Sequence, residues 1–175
     1  MCEVVQERIQ TLDFDPTPFD RNIGSCEQTI FWHEPDGTAC KGRPDWISAD
    51  HKVIWDLKTT KNAEQDKFTR SLFDYGYDTQ AEFYRRGVEC LTGIRPDYFL
   101  LAVEPYAPFE LSVHSLAPAA EALAQAKIDH ALTVWAKCLR TGVWPGYDAR
   151  VAFAEPPAWH EAAWLQREAR EEMAA

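Results

Sequence analysis

The most constraining feature of the sequence is a pair of strand-like segments separated by a short polar turn. The stretch is GRPDWISADHKVIWDLKTT, residues 42–60. Its apolar residues are mostly aromatic or β-branched, which favours strands, and Ala49-Asp50-His51 is a composition that reverses the chain. We therefore expect one strand over residues 40–47 and a second strand over residues 53–58.

Similar patterns on both sides of this stretch predict a mixed central sheet flanked by helices. TIFWH and the turn Glu34-Pro35-Asp36-Gly37 begin a β-meander that runs from residue 27 to residue 58. Thr79 and Glu82 match a capping box at the start of a helix that reaches about residue 91. The other predicted elements are helices over 3–12, 66–73, 118–140 and after Pro157, and strands over 97–104 and 109–115. The fold class is therefore α/β (α+β), with a single domain over residues 1–175.

The charge of the chain excludes a general basic coat for nucleic acid, but it does not exclude a DNA enzyme. The chain has 175 residues, with 18 Lys and Arg against 28 Asp and Glu, and a formal net charge of −10. Residues 41–86 carry nine basic and eight acidic side chains, so half of the basic residues lie in about a quarter of the chain. Acidity is also compatible with a metal site, because carboxylates build such sites.

Targeting signals and cysteine usage predict a cytoplasmic protein, in a bacterium or a phage-infected host cell. The sequence has no run of 18 or more apolar residues and no N-terminal basic region followed by an apolar one. Its five cysteines lie far apart and form no CxxC motif. We therefore expect reduced thiols and no membrane partner.

Asp45, Asp56 and Lys58 are the candidate catalytic residues. Residues i and i+2 of a strand project to the same face, so Asp56 and Lys58 point together, and the short turn lets Asp45 face Asp56. Carboxylate oxygens suit Mg²⁺ or Mn²⁺, which keep several waters and accept phosphate oxygens. The set fits phosphodiester hydrolysis, with Lys58 orienting a water or stabilising charge on the phosphate. From this spacing alone, two exposed aspartates and a lysine at a strand end are the alternative.

The motifs Pro44-Asp45 and Asp56-Leu57-Lys58 are followed by Gln80 and Tyr84, which form a QxxxY pattern. Together they resemble the PD-(D/E)xK nuclease superfamily and its RecB-like branch. The stretch from about Glu27 to Tyr84 is most similar to the phage-type exodeoxyribonuclease VIII (RecE-like) catalytic domain. This resemblance implies a restriction-endonuclease-like core.

The resemblance also implies an activity and its partners. The activity is Mg²⁺-dependent (or Mn²⁺-dependent), ATP-independent 5′→3′ digestion of double-stranded DNA ends in phage-type recombination. The single-stranded product would pass to an annealing protein, and the nuclease would be a homo-oligomer. Asp45, Asp56 and the Leu57 carbonyl would bind the metal, and Gln80 and Tyr84 would support the site and the DNA strand.

Glu27 and Arg85 are further candidates for site support or DNA contact. Glu27 is predicted to begin the first strand of the meander, where RecB-like enzymes often carry a glutamate, but a surface carboxylate is an equal alternative. Arg85 and Arg86 follow the QxxxY motif and are either phosphate contacts or solvated side chains.

The sequence departs from the family pattern upstream of Asp45, where the family places a His or Glu on a helix. The one upstream histidine, His33, lies on a predicted strand. Either Glu3 or Glu7 substitutes, or the chain lacks an N-terminal helix of the family core. A non-catalytic DNA-binding remnant is therefore one alternative function. An endonuclease or nickase with the same core is another.

Overall fold

The computed structural model describes residues 2–147 and 149–174, and the chain divides into two compact units, residues 1–142 and 143–175. The elements are α1 (Cys2–Gln10), β1 (Gly24–Cys26), β2 (Ile30–His33), β3 (Ala39–Gly42), β4 (Trp46–Ser48), β5 (Val53–Thr59), α2 (Gln65–Asp74), α3 (Tyr77–Thr92), β6 (Asp97–Val103), β7 (Leu111–His114), α4 (Pro118–Thr141) and α5 (Ala158–Ala174). Only α5 belongs to the second unit. A single domain over residues 1–175 stays a prediction. Among the described residues, no helix is long and apolar enough to span a bilayer.

The main sheet has five strands in the order β1-β4-β5-β6-β7. β5 and β6 run parallel, and the other neighbouring pairs are antiparallel. A parallel pair needs a long crossover, and α2 and α3 provide it. The predicted mixed sheet flanked by helices is therefore confirmed, and β5 is its central strand.

Alternation of side chains along β5 divides the core into two layers. On one face of the sheet, Ile54 packs with Phe68 of α2 and Val88 of α3. On the other face, Trp55 packs with Ile9 of α1. Even-numbered residues of β5 therefore face α2 and α3, and odd-numbered residues face α1.

The predicted meander is only partly correct, because its second strand is broken. Pro44 has no N–H to donate to a ladder, so β3 ends at Gly42 and β4 begins at Trp46. β2 and β3 form a separate hairpin, and Trp32 of this hairpin lies on α3. A Cβ at Gly87 would approach the Trp32 ring to 2.8 Å, so this close contact requires glycine.

The predicted capping box at Thr79 and Glu82 is wrong, because α3 begins at Tyr77. Its N-cap is Gly76, whose left-handed φ of 69° lets α2 turn sharply into α3. Thr79 lies inside the first turn, and its hydroxyl donates to the Asp78 carboxylate. Glu82 is buried and takes part in ion pairs instead.

Buried ion pairs join α3 to α4 and to the loop before β6. Arg85 pairs with Glu82 at 2.7 Å and with Glu121 of α4, and it donates to the Pro96 carbonyl at 2.8 Å. Arg95 binds the second carboxylate oxygen of Glu82 at 2.6 Å. Because Glu82 is almost fully buried, both arginines are needed to offset the desolvation of its charge.

Replacing Arg85 should therefore destabilise the protein strongly. Arg85→Met should lower the free energy of unfolding by about 3 kcal/mol, because Glu82 loses one of its two cations. Urea denaturation at neutral pH measures this change. The matched control is Arg70→Met, which removes an exposed pair with Asp74 and should change the free energy by less than about 0.5 kcal/mol. Equal losses of unfolding free energy in the two variants would contradict the role of Arg85 in compensating the buried charge of Glu82.

Candidate functional site

Asp45 lies directly before β4, beside the centre of β5. The register of Trp46 with Trp55 places Asp45 opposite Asp56. The Asp45 Oδ2 atom accepts a hydrogen bond of 2.7 Å from the Leu57 backbone N–H. This bond holds the Asp45 carboxylate against the β5 backbone, so the structure brings the two aspartates together.

Asp56 is a charged group in the interior of the protein. Its side chain is 1% exposed, and it forms an ion pair with Lys58, whose side chain keeps 14% of its surface exposed. Burial raises the pKa of the Asp56 carboxyl; Lys58 opposes this effect, and the charge of Asp45 adds to it. Because burial outweighs the effect of Lys58, a further cation beside Asp56 would be favourable.

Helix α3 contacts the segment that carries Asp45. The Gln80 side-chain amide donates a 3.3 Å hydrogen bond to the Tyr84 hydroxyl, as their spacing of one helical turn allows. A ring carbon of Tyr84 lies 2.9 Å from the position that a Cβ would occupy at Gly42, three residues before Asp45. The QxxxY helix and the GRPD segment therefore touch. A supporting role of Gln80 and Tyr84 stays a prediction, with this contact as its physical basis.

Two tyrosines that sequence reasoning did not single out also lie at the site. The Lys58 ammonium is 4.7 Å from the ring centre of Tyr77, which is a cation–π contact. Tyr98 of β6 is buried, and burial, followed by the charge of Asp56, raises the pKa of its hydroxyl well above the usual value. The spacing of three residues between Tyr77 and Gln80 was an available signal. Tyr98 had none, because only the pairing of β5 with β6 brings it to the site.

Glu27 lies between β1 and β2, so its predicted place at the start of a meander strand is wrong. Its φ is 52°, and its backbone N–H donates to the Asp45 carbonyl at 2.9 Å. Its exposed carboxylate pairs with Arg43 at 2.9 Å. The Glu27 backbone therefore helps to position Asp45, and any role of its side chain at the site stays a prediction.

Arg85 and Arg86 are engaged by carboxylates of the protein. Arg85 is buried within the ion pairs of Glu82, and Arg86 pairs with Glu34 at 2.6 Å and with Asp129 at 2.5 Å. The Arg85 guanidinium holds α3 to its neighbours, which is evidence against the predicted phosphate contact; site support by Arg85 stays a prediction.

The donor set suits a hard divalent cation. Asp45 directly precedes β4 and accepts a hydrogen bond from the Leu57 N–H, so it lies beside Asp56 and Leu57 of β5. Asp56 Oδ1 is buried and, apart from its ion pair with Lys58, has no hydrogen-bond partner among the described residues. Mg²⁺ and Mn²⁺ bind to one or two carboxylates and complete their coordination with water and phosphate oxygens. The residues present therefore fit such an ion.

The upstream candidates do not add a third carboxylate or imidazole. Glu3, Glu7 and His33 are exposed, and the described part of the chain contains no group of three His, Cys, Asp or Glu side chains that could hold a metal. A cavity of about 730 Å³ lies between α1 and β5. The polar side chains that α1 contributes to it are amides, Gln6 and Gln10.

The fold and the site together define a PD-(D/E)xK-type domain. A family model described as a PDDEXK-like domain of unknown function (DUF3799) matches residues 2–154, which is most of the chain. The protein therefore belongs to this family, and the resemblance to the PD-(D/E)xK nuclease superfamily is confirmed.

A solved structure shares this fold. The "Putative exonuclease" from Eubacterium rectale superposes with a TM-score of 0.65 at 17% sequence identity, over 91% of this chain and 63% of that chain. At this identity the likeness shows the fold alone, and the present chain spans less than two thirds of the other protein. SSO0001 matches with a TM-score of 0.37 at 16% identity, over 73% of this chain and 56% of that chain, which carries no argument. A search of curated proteins found no match.

Mg²⁺ or Mn²⁺ should stabilise the protein without DNA. An ion at 100 times its dissociation constant adds about 2.7 kcal/mol to the free energy of unfolding, which raises the melting temperature. Asp45→Asn and Asp56→Asn should abolish this rise in a thermal denaturation experiment. The matched control is Asp97→Asn, because the exposed Asp97 pairs with Val53 at the far end of β5 and β6. A rise in Asp56→Asn equal to that of the wild type would exclude the metal site.

Proposed function

We propose that this protein is a metal-dependent deoxyribonuclease that hydrolyses phosphodiester bonds. The observation that carries the proposal is the convergence of Asp45, Asp56 and Lys58 at the central strand, with Asp56 buried and paired with the Lys58 ammonium. Membership of a PDDEXK-like family supports it. Glu82, which is also buried, has two arginines to compensate its charge, whereas Lys58 is the one cation that pairs with Asp56 in the described part of the chain.

Each residue has a distinct task in this proposal. When bound, a divalent cation supplies Lewis-acid chemistry at the scissile phosphate and lowers the pKa of a water. Asp45, Asp56 and the Leu57 carbonyl would hold it. Lys58 is exposed enough to reach a phosphate or the attacking water, and it stabilises the negative charge that develops there. The Tyr77 ring restricts where the ammonium can lie.

The more specific activity rests on the sequence resemblance over residues 27–84. We propose an ATP-independent, Mg²⁺-dependent 5′→3′ exonuclease of the RecE-like type, which acts at double-stranded DNA ends in phage-type recombination. A single-strand annealing protein would receive its product, and a homo-oligomer would hold the DNA. The four described cysteines that are free thiols, Cys26, Cys40, Cys90 and Cys138, are compatible with the proposed cytoplasmic location.

A non-catalytic DNA-binding protein is the second candidate. It is favoured by one observation, namely that the described residues contribute two carboxylates to the site and no third acidic or imidazole ligand. It would bind DNA without releasing nucleotides, so a hydrolysis assay separates it from the nuclease.

The wild type should release acid-soluble nucleotides from linear duplex DNA in the presence of Mg²⁺ or Mn²⁺. Lys58→Ala should lower the rate by about 100- to 1000-fold, because it removes the cation that stabilises the developing charge. Asp56→Ala should lower the release to background. The matched control is Lys52→Ala, an exposed lysine paired with Asp50 in the β4–β5 turn, which should keep the wild-type rate. No release by the wild type with either ion would exclude the nuclease.

A comparison of linear with covalently closed circular DNA distinguishes an exonuclease from an endonuclease. An exonuclease should digest linear duplexes and leave covalently closed circles intact, because the circles have no end. With linear DNA labelled at one terminus, the 5′→3′ polarity predicts early release of a 5′ label and late release of a 3′ label. Cleavage of closed circles at a similar rate would support the endonuclease or nickase instead.

A further inference from the structure

The turn between α2 and α3 carries an exposed tyrosine next to the site. Tyr75 directly follows α2, and 72% of its surface is exposed. Its ring centre lies 5.8 Å from that of Tyr77, with an angle of 38° between the ring planes. Tyr77 in turn contacts the Lys58 ammonium at 4.7 Å. The two rings therefore form a continuous aromatic surface that leads from Lys58 to solvent.

The backbone positions Tyr75, and packing on α2 positions the Tyr77 ring on which Tyr75 lies. The Tyr75 N–H donates to the Ser71 carbonyl at 3.0 Å, and the left-handed Gly76 connects it directly to α3. The Tyr77 ring rests on Phe68, with ring centres 6.2 Å apart and ring planes at 26°. A ring that is already fixed loses little conformational freedom when a ligand binds to it.

The segment that leads from β5 to Tyr75 carries exposed basic side chains, interspersed with the acidic Glu64, Asp66 and Asp74, and Arg70 pairs with Asp74 at 3.5 Å. Lys61 follows β5, and Lys67 and Arg70 lie on α2; all three side chains are exposed. Basic groups that follow a phosphate backbone, combined with exposed aromatic rings on which bases stack, are typical of sites for single-stranded nucleic acid. In a duplex the bases are paired and stacked on each other, so the face of a protein ring reaches only a base that has left the stack.

We propose that Tyr75, supported by Tyr77, binds an unpaired nucleobase of the DNA strand whose phosphate lies at Lys58. The preferred substrate is then a DNA end with unpaired bases, either a single-stranded overhang or a frayed terminus. This inference rests on the proposed function, because it places the scissile phosphate at Lys58. It adds a base-binding surface at the α2–α3 turn.

Equilibrium binding tests the proposal without hydrolysis. The wild type and Tyr75 variants are titrated, in EDTA, against a linear duplex with a three-nucleotide unpaired end that carries 2-aminopurine, and against a relaxed, covalently closed circular duplex, which has neither ends nor unpaired loops. Tyr75→Ala should weaken binding to the unpaired end by about 5- to 150-fold, as loss of one stacked base predicts. Tyr75→Phe should bind like the wild type, and the wild type should quench the 2-aminopurine fluorescence.

Controls separate stacking from other effects. Tyr75→Leu keeps an apolar side chain without a ring and should resemble Tyr75→Ala, and Tyr106→Ala removes a comparably exposed tyrosine from the β6–β7 turn and should resemble the wild type. Unchanged melting temperatures show that the variants fold. The proposal would be overturned if Tyr75→Ala bound the unpaired end as tightly as the wild type does. It would also be overturned if Tyr75→Phe lost as much affinity as Tyr75→Ala. An equal loss of affinity of Tyr75→Ala for the closed duplex would overturn it as well.

The two proposals fail in different ways. If the wild type hydrolyses DNA while Tyr75→Ala binds and quenches normally, the base-binding surface is wrong and the nuclease stands. If the wild type releases no nucleotide but binds unpaired ends through Tyr75, the surface stands and the nuclease is wrong.

Discussion

The central strand β5 buries a carboxylate, and the rest of the site is arranged around this unfavourable placement. A carboxylate removed from water requires a compensating cation, and Lys58 supplies one from the same face of the same strand. Because burial still raises the pKa of Asp56, the compensation is incomplete. A divalent cation beside Asp56 would therefore be favourable.

Helix α3 joins the stability of the fold to the geometry of the site. One stripe of the helix carries Tyr77, which contacts Lys58, and Tyr84, which contacts Gly42 and accepts a hydrogen bond from Gln80. Another part of the same helix is anchored by the buried ion pairs of Glu82 and by Gly87 under the hairpin. A change that loosens these anchors would also move the side chains that surround Lys58. The charged side chains of residues 41–86 thus serve two purposes. Asp56 and Lys58 belong to the candidate site, whereas Glu82 and Arg85 hold α3 in place.

Sequence reasoning succeeded where the signal was local. The strand over residues 53–58, the helices beginning near residues 66 and 118, and the convergence of Asp45 with Asp56 all follow from short-range patterns of apolar residues, turns and spacing. Sequence reasoning failed where the same local pattern is compatible with two different structures. Thr79 fits a cap, but Gly76 already ends the turn and starts α3 earlier. β1 has little β propensity and exists because β4 offers it a partner.

The sequence alone determined the fold class, the pairing of β4 with β5, and the three residues with which the chemistry is proposed. Periodicity, turn composition and motif spacing are all encoded within about twenty residues. Tertiary structure alone decided which charges face the site. Arg85 lies one residue after Tyr84, yet it is buried among carboxylates of α3 and α4, whereas Tyr98 reaches Asp56 from a strand 42 positions away in the numbering. Such contacts depend on how helices pack and on how β5 pairs with β6, and neither is written in the spacing of residues along the chain.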